Sequence, residues 1–331
     1  MVISPFVPVI FVLISGDINS AVIFHEVMRM FYCALLIMTV SKLYISFDTL
    51  YLGAIIAFLP NFVIQLLEYI KLPGIIPFIS QYYVTDESNY AHLELATYSG
   101  MEFRSGSVFI NPNVYMIIPM LALCVFFYQD RIKPSLINTI LIFCAALSGI
   151  LTGSRTSIIV MAVVMLVYYL KYASGASKTI ALVVMLVVAI RYGSYLLTNS
   201  RALQLTDTDS FETKYMAFVW YWKRTAFMPI FWITGSLGSS MASNMDSEWG
   251  FIYAWYGLFG LNWYKNYYKA IWHNNERIEF FSRIVVITCA MVSMTASVLL
   301  CMPVYSFVGV VAFSHLLENE FLETEEYEEN Y

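Results

Sequence analysis

Charge is what this sequence has least of. Asp, Glu, Lys and Arg make up 12% of its 331 residues, about half the quarter expected of a soluble domain. A chain so poor in charge is not an ordinary water-soluble protein of its length. Its polar loops also lack cysteine: Cys33, Cys124, Cys144, Cys289 and Cys301 all sit inside apolar runs, and no CxxC pair occurs. That argues against a disulfide framework or a zinc site and for buried, inert thiols. No metal and no cofactor are expected. The first segment, 2–15, lacks a positive flank and is too short for a comfortable crossing, so it is neither a good signal peptide nor a full helix. It reads as a short first helix, or as the start of a chain that begins late. Basic excess is missing as well. The net charge is −5, largely from the tail "ENEFLETEEYEENY", so by itself it says nothing about nucleic acid; no nucleic-acid partner is expected, and residues 317–331 read as a solvated acidic end.

What the chain does have is long apolar runs. Apolar residues make up 60% of it and aromatic residues 17%, in blocks mostly long enough to cross the hydrocarbon core as helices. The expected class is all-α, a polytopic helical membrane protein forming one integral membrane domain over 1–331. Ten runs are expected to be helical: 2–15, 23–41, 49–70, 112–128, 134–151, 155–171, 178–197, 249–264, 284–301 and 303–316. Short connections carrying Lys42, Arg131, Lys133, Lys171, Lys178, Lys265, Lys269, Arg277 and Arg283 then fall on one side, which the positive-inside rule makes the cytoplasm. Both termini lie there too. Two long loops, about 71–111 and 198–248, lie outside.

Three outer segments carry the candidate chemistry. In "RSGSVFINPNVYM" (104–116), Asn111 and Pro112 are ordinary helix-start residues. That leaves Arg104 and Asn113 without such an explanation. In "LTGSRT" (151–156), Gly153 suits a helix C′ position and Ser154 an N-cap. Arg155 is thereby pinned at a helix start, where a cation is mildly unfavourable unless an anion lies near. Snorkelling to lipid phosphate is the plain alternative. In "GSLGSSMASNMDSEWGFIYAWYGLFG" (235–260), Asp246 and Glu248 precede a helix. Either is an ordinary dipole partner or a general base. Before that segment, Phe211, Tyr215, Phe218 or Val219, and Trp222 repeat at helical spacing after Asp209, the pattern of an interfacial amphipathic helix. Trp220, Trp222, Trp232, Trp249 and Trp255 fit an aromatic belt, with stacking on sugar rings as the sharper alternative.

In that order and spacing, an Arg with a following Gly and "NPN", then "LTGSRT", then a long outer loop closed by "GxxG", "DSE" and "YGLFG" resemble one family. It is the O-antigen polymerase and ligase superfamily, most closely the Wzy-type polysaccharide repeat-unit polymerases. The resemblance covers roughly residues 100–316. It implies a metal-independent glycosyltransferase of the GT-C type in the bacterial inner membrane, using undecaprenyl-diphosphate-linked glycans to build O-antigen, capsule or exopolysaccharide. A flippase and a chain-length regulator of the same pathway are implied partners. Arginines in the outer loops of such enzymes hold the diphosphate: Arg201 stands where relatives carry one, and Lys214 takes the place of another, without the bidentate fork. Asp246 or Glu248 would deprotonate the acceptor hydroxyl, with Glu94 and Glu102 in reserve. The ligase branch uses a histidine near the end of this loop. Here the loop closes on "DSE" and all four histidines lie elsewhere, which favours polymerase over transfer to lipid A core. A flippase should line its path with mid-membrane charge, and the runs between 112 and 190 are nearly bare of it.

Overall fold

The computed structural model describes residues 20–83, 105–109, 112–172, 209–236, 247–273, 279–294 and 302–317. They are mostly helical, with two three-residue strands, so the all-α class holds. The chain divides into two units. A middle unit runs from Leu50 to Thr208, and a terminal unit joins Met1–Thr49 to Asp209–Tyr331. In chain order, α1 (Ser20–Val40) and β1 (Tyr44–Ser46) open the terminal unit, and α2 (Phe47–Tyr69) leads into the middle one. The expected runs 2–15 and 178–197 lie outside the described residues.

The middle unit continues with α3 (Ile75–Tyr83), a 3-10 turn (Ser107–Phe109), α4 (Pro112–Tyr115), α5 (Ile117–Ile132), α6 (Leu136–Leu151) and α7 (Arg155–Tyr172). Helix α5 is buried on every side from Met120 to Gln129, as its unbroken apolar run requires. Pro134 bars α5 from continuing, and Ser135 restarts the chain, its Oγ accepting the Asn138 N–H at 3.2 Å. At the far end of α6, Gly153 takes φ 60°. Ser154 then caps α7, accepting the Ser157 N–H at 3.5 Å. Both helix-end expectations are met. Connections this short make α5, α6 and α7 antiparallel neighbours, and Gly149 lets α7 come close, since a Cβ there would meet the Met161 Cε at 1.9 Å.

Antiparallel order gives the unit two polar ends. At one, the Tyr51 hydroxyl donates to the Asn138 Oδ1, and the Asn138 Nδ2 donates to the Lys133 carbonyl at 2.9 Å. At the other lie the C-terminus of α2, the 105–109 segment and the α6–α7 turn. Between these ends the surface is apolar. Leu52, Ile56 and Val63 of α2 are exposed, as are Leu136, Ile137, Ile140 and Phe143 of α6. Soluble monomers rarely leave such stripes in water. Helix α2 is the one described helix long and apolar enough to cross a membrane, and 28% of its most apolar window is buried inside the protein. A core helix would be mostly covered, so α2 supports membrane association.

The terminal unit adds α8 (Asp209–Thr225), α9 (Ile230–Thr234), α10 (Glu248–His273), α11 (Glu279–Ser293), α12 (Met302–Phe313) and β2 (His315–Leu317). Strands β1 and β2 pair in parallel, Tyr44 opposite His315. The helices before them also run side by side: the Tyr32 and Ser306 hydroxyls are 2.7 Å apart, and Gly309 faces Leu36.

Helix α10 departs from expectation. The run 249–264 was expected to be one span, but at Gly257 the backbone takes φ 60° and ψ −152°. A straight helix would separate the Cα atoms of Glu248 and Tyr264 by about 24 Å, at 1.5 Å per residue. Their side chains instead share a 2.9 Å hydrogen bond. The chain therefore reverses at Gly257, and a short arm (248–256) folds back on a longer one (258–273). The break frees the Ala254 carbonyl from its helical partner. It accepts the Ser236 N–H and Oγ, both at 2.9 Å, and the Tyr221 hydroxyl at 3.1 Å. Glycine is required on both sides of this junction: a Cβ on Gly257 would lie 2.2 Å from the Ile233 carbonyl oxygen, and one on Gly235 2.1 Å from that of Trp255.

Helix α8 begins at Asp209 as expected. Tyr221 and Thr225 are buried, while Tyr215 and Trp222 of the expected apolar stripe are exposed. The Tyr221 phenol donates to the Ala254 carbonyl at 3.1 Å. Burial pushes that phenol up to about 12, so it stays a neutral donor.

Candidate functional site

Two of the three segments singled out in the sequence meet in the middle unit. The Leu151 carbonyl accepts the Ser105 Oγ at 2.9 Å and the Ser105 N–H at 3.4 Å. This joins the chain just after Arg104 to the turn just before Arg155. The turn is rigid: the Thr152 Oγ1 donates to the Gly149 carbonyl at 2.7 Å, and the Ser157 Oγ donates to the same oxygen at 2.8 Å.

A third element, unnoticed in the sequence, completes the cluster. Asn61, Gln65 and Glu68 are spaced by four and three residues along α2, so they share one face. Gln65 is buried and bound on both sides of its amide. Its Oε1 accepts the Ser148 Oγ at 2.6 Å and the Tyr115 hydroxyl at 3.3 Å, and its Nε2 donates to the Ser148 carbonyl at 3.0 Å. Glu68 is 2% exposed, and its Oε2 accepts the Ser107 N–H at 2.9 Å. The Ser107 Oγ donates to the Asn61 carbonyl, also at 2.9 Å. Ser107 has φ 52°, a left-handed conformation that a serine adopts only where its surroundings hold it. A carboxylate and two amides on an apolar helix were the signal available in the sequence; the length of the apolar run masked it.

The third segment lies in the terminal unit. Glu248 is fully buried, and its Oε2 accepts the Tyr264 hydroxyl at 2.9 Å. Tyr268 and Ser293 extend the network, their oxygens 3.0 Å apart, and the Ser293 Oγ donates to the Cys289 carbonyl at 2.6 Å. Each hydroxyl has one proton to give. A consistent assignment sends Tyr264 to Glu248, Tyr268 to Ser293 and Ser293 to Cys289. Trp249 meets Tyr264 edge-on, with centroids 4.5 Å apart. Arg29 of α1 donates to the Tyr256 hydroxyl at 2.9 Å, beside the Gly257 break.

Asn113, Arg155 and Lys214 are placed by their backbones, in α4, α7 and α8, and Arg155 opens its helix as expected. Arg104, Arg201 and Asp246, like Glu94 and Glu102, lie outside the described residues. Among the aromatic-belt residues, Trp220 stacks under the Arg224 guanidinium at 3.7 Å, and the Trp232 Nε1 donates to the Thr225 Oγ1 at 2.9 Å. Comparison with family models, curated proteins and solved structures gives no match.

Proposed function

We propose that this chain is a GT-C-like membrane glycosyltransferase of about ten helices. It joins undecaprenyl-diphosphate-linked repeat units into polymer at the outer face of the bacterial cytoplasmic membrane. The observation that carries this reading is the double hydrogen bond from Ser105 to the Leu151 carbonyl. It gathers two segments, each next to an arginine that is a candidate for holding the diphosphate. Arginines there would stabilise charge developing on the leaving diphosphate, and the α7 start adds its own partial positive charge.

The topology follows the same logic. Lys133 and the Ser105–Leu151 contact lie at opposite ends of α6, in keeping with a cytoplasmic basic loop and an outer site. In the terminal unit, the reversal at Gly257 puts two arms in place of the single span expected over 249–264, and the arm 248–256 becomes re-entrant. Such an arm is tolerated only where protein satisfies its backbone, as Ser236 and Tyr221 do for Ala254. Of the two candidate bases, Glu248 is enclosed and engaged by Tyr264, which leaves Asp246 as the carboxylate to deprotonate the acceptor.

The test is the purified protein given lipid-linked repeat units. A ladder of lipid-linked polymer is the expected product. Transfer of finished polymer to lipid A core without elongation would make it a ligase, and no glycosyl transfer of either kind would refute the reading.

A further inference from the structure

Ser105, Gly106 and Ser107 bridge two elements of the middle unit. Ser105 is tied to the end of α6 through the Leu151 carbonyl. Ser107 is tied to α2 twice, through its N–H to Glu68 and its Oγ to Asn61. Glu68 supplies the one carboxyl group among these ties. A carboxylate on an apolar helix is otherwise a liability, and intramembrane acids generally mark function. The left-handed Ser107 fits the same picture, since strain of this kind persists where neighbours over-determine it.

We infer that Glu68 is a positioning residue: by accepting the Ser107 N–H it fixes the Ser105–Ser107 bridge, to which the candidate diphosphate ligand Arg104 is joined in sequence. The inference rests on the polymerase reading for its consequence, and on Glu68, Ser107, Asn61 and Leu151 for its geometry.

Two measurements test it, one independent of activity. By hydrogen-exchange mass spectrometry of the full chain in detergent, Glu68→Leu should speed exchange in peptides covering 105–109 by about tenfold or more, through local opening. Glu68→Gln, whose amide oxygen still accepts, should restore most of the protection. In polymerisation assays, Glu68→Leu should raise the KM for lipid-linked repeat units about tenfold with a smaller change in kcat, a displacement effect. It should add little in an Arg104→Ala background, because both changes act through one contact. If Glu68→Leu does not accumulate, Glu68→Asp, whose carboxylate is one methylene shorter, should show the same two changes more weakly. Unchanged exchange at 105–109 overturns the bridge. Faster exchange with full multiplicative loss in the Arg104→Ala background overturns the link to Arg104. A wild-type protein that makes no polymer refutes the polymerase reading alone, while the exchange result still decides the bridge.

Discussion

Replacing Gly257 with alanine should break the junction that holds α9 against α10. Two independent penalties act there. The backbone, at φ 60° and ψ −152°, lies in a region essentially reserved for glycine, where another residue loses about 1–3 kcal/mol. The new Cβ would also lie 2.2 Å from the Ile233 carbonyl oxygen and 2.6 Å from the Gly235 nitrogen. These are backbone atoms that cannot rotate away, and overpacking of that kind costs about 1–3 kcal/mol more. The combined loss, about 2–6 kcal/mol, is a large share of the 5–15 kcal/mol that separates folded from unfolded proteins. At about 2–4 °C per kcal/mol for a unit of this size, the apparent melting temperature should fall by roughly 10 °C. Scanning fluorimetry in detergent measures it, with Trp232, Trp249 and Trp255 near the junction as reporters. Gly53→Ala is the matched control: nothing lies within 4 Å of its Cβ, and in mid-helix alanine is favoured by about 0.5–1 kcal/mol. A Gly257→Ala melt within 2 °C of wild type, by the same per-kcal/mol scale, would refute the assigned reversal.

Arg201→Ala should abolish polymer while the protein still accumulates in the membrane, with a rate loss of about 10²-fold or more. Arg201→Lys should rescue only partly because the fork is lost, and near-normal polymer in Arg201→Ala would remove it from the site. Asp246→Asn should stop polymerisation by purified protein while Glu248→Gln stays active; the opposite result would exchange their roles. Ser148→Ala removes the 2.6 Å bond to the buried Gln65 and should lower stability by about 1–3 kcal/mol, read as a lower melting temperature with no change in KM. Stability should also fall from pH 10 upward in proportion to Tyr221: its phenol is neutral in the fold up to about 12, whereas an unfolded tyrosine ionises near 10. The contribution is complete below pH 10 and lost between 10 and 12, and Tyr221→Phe should flatten that part of an alkaline melt series.

The sequence by itself determined the class and many of the local ends. Low charge and long apolar runs lead to helices because a chain in lipid must satisfy its own backbone. Pro112, Gly153, Ser154 and Asp209 mark helix boundaries through chemistry that acts within a few residues, and the structure follows each of them. Two of the candidate site segments were legible for the same reason. Only the tertiary structure decided the rest. "YGLFG" reads as continuous apolar helix because glycine accepts either sign of φ; the close approach of Ile233–Gly235 selects the reversal at Gly257. Burial of Tyr221 on α8 follows from packing beside the Ala254 carbonyl, which lies far along the chain and comes near only in the fold. Asn61, Gln65 and Glu68 look incidental within an apolar run. They acquire a purpose once packing sets Ser107, Tyr115 and Ser148 against them, because a buried polar group is tolerable only with a partner, and that partner lies dozens of residues away.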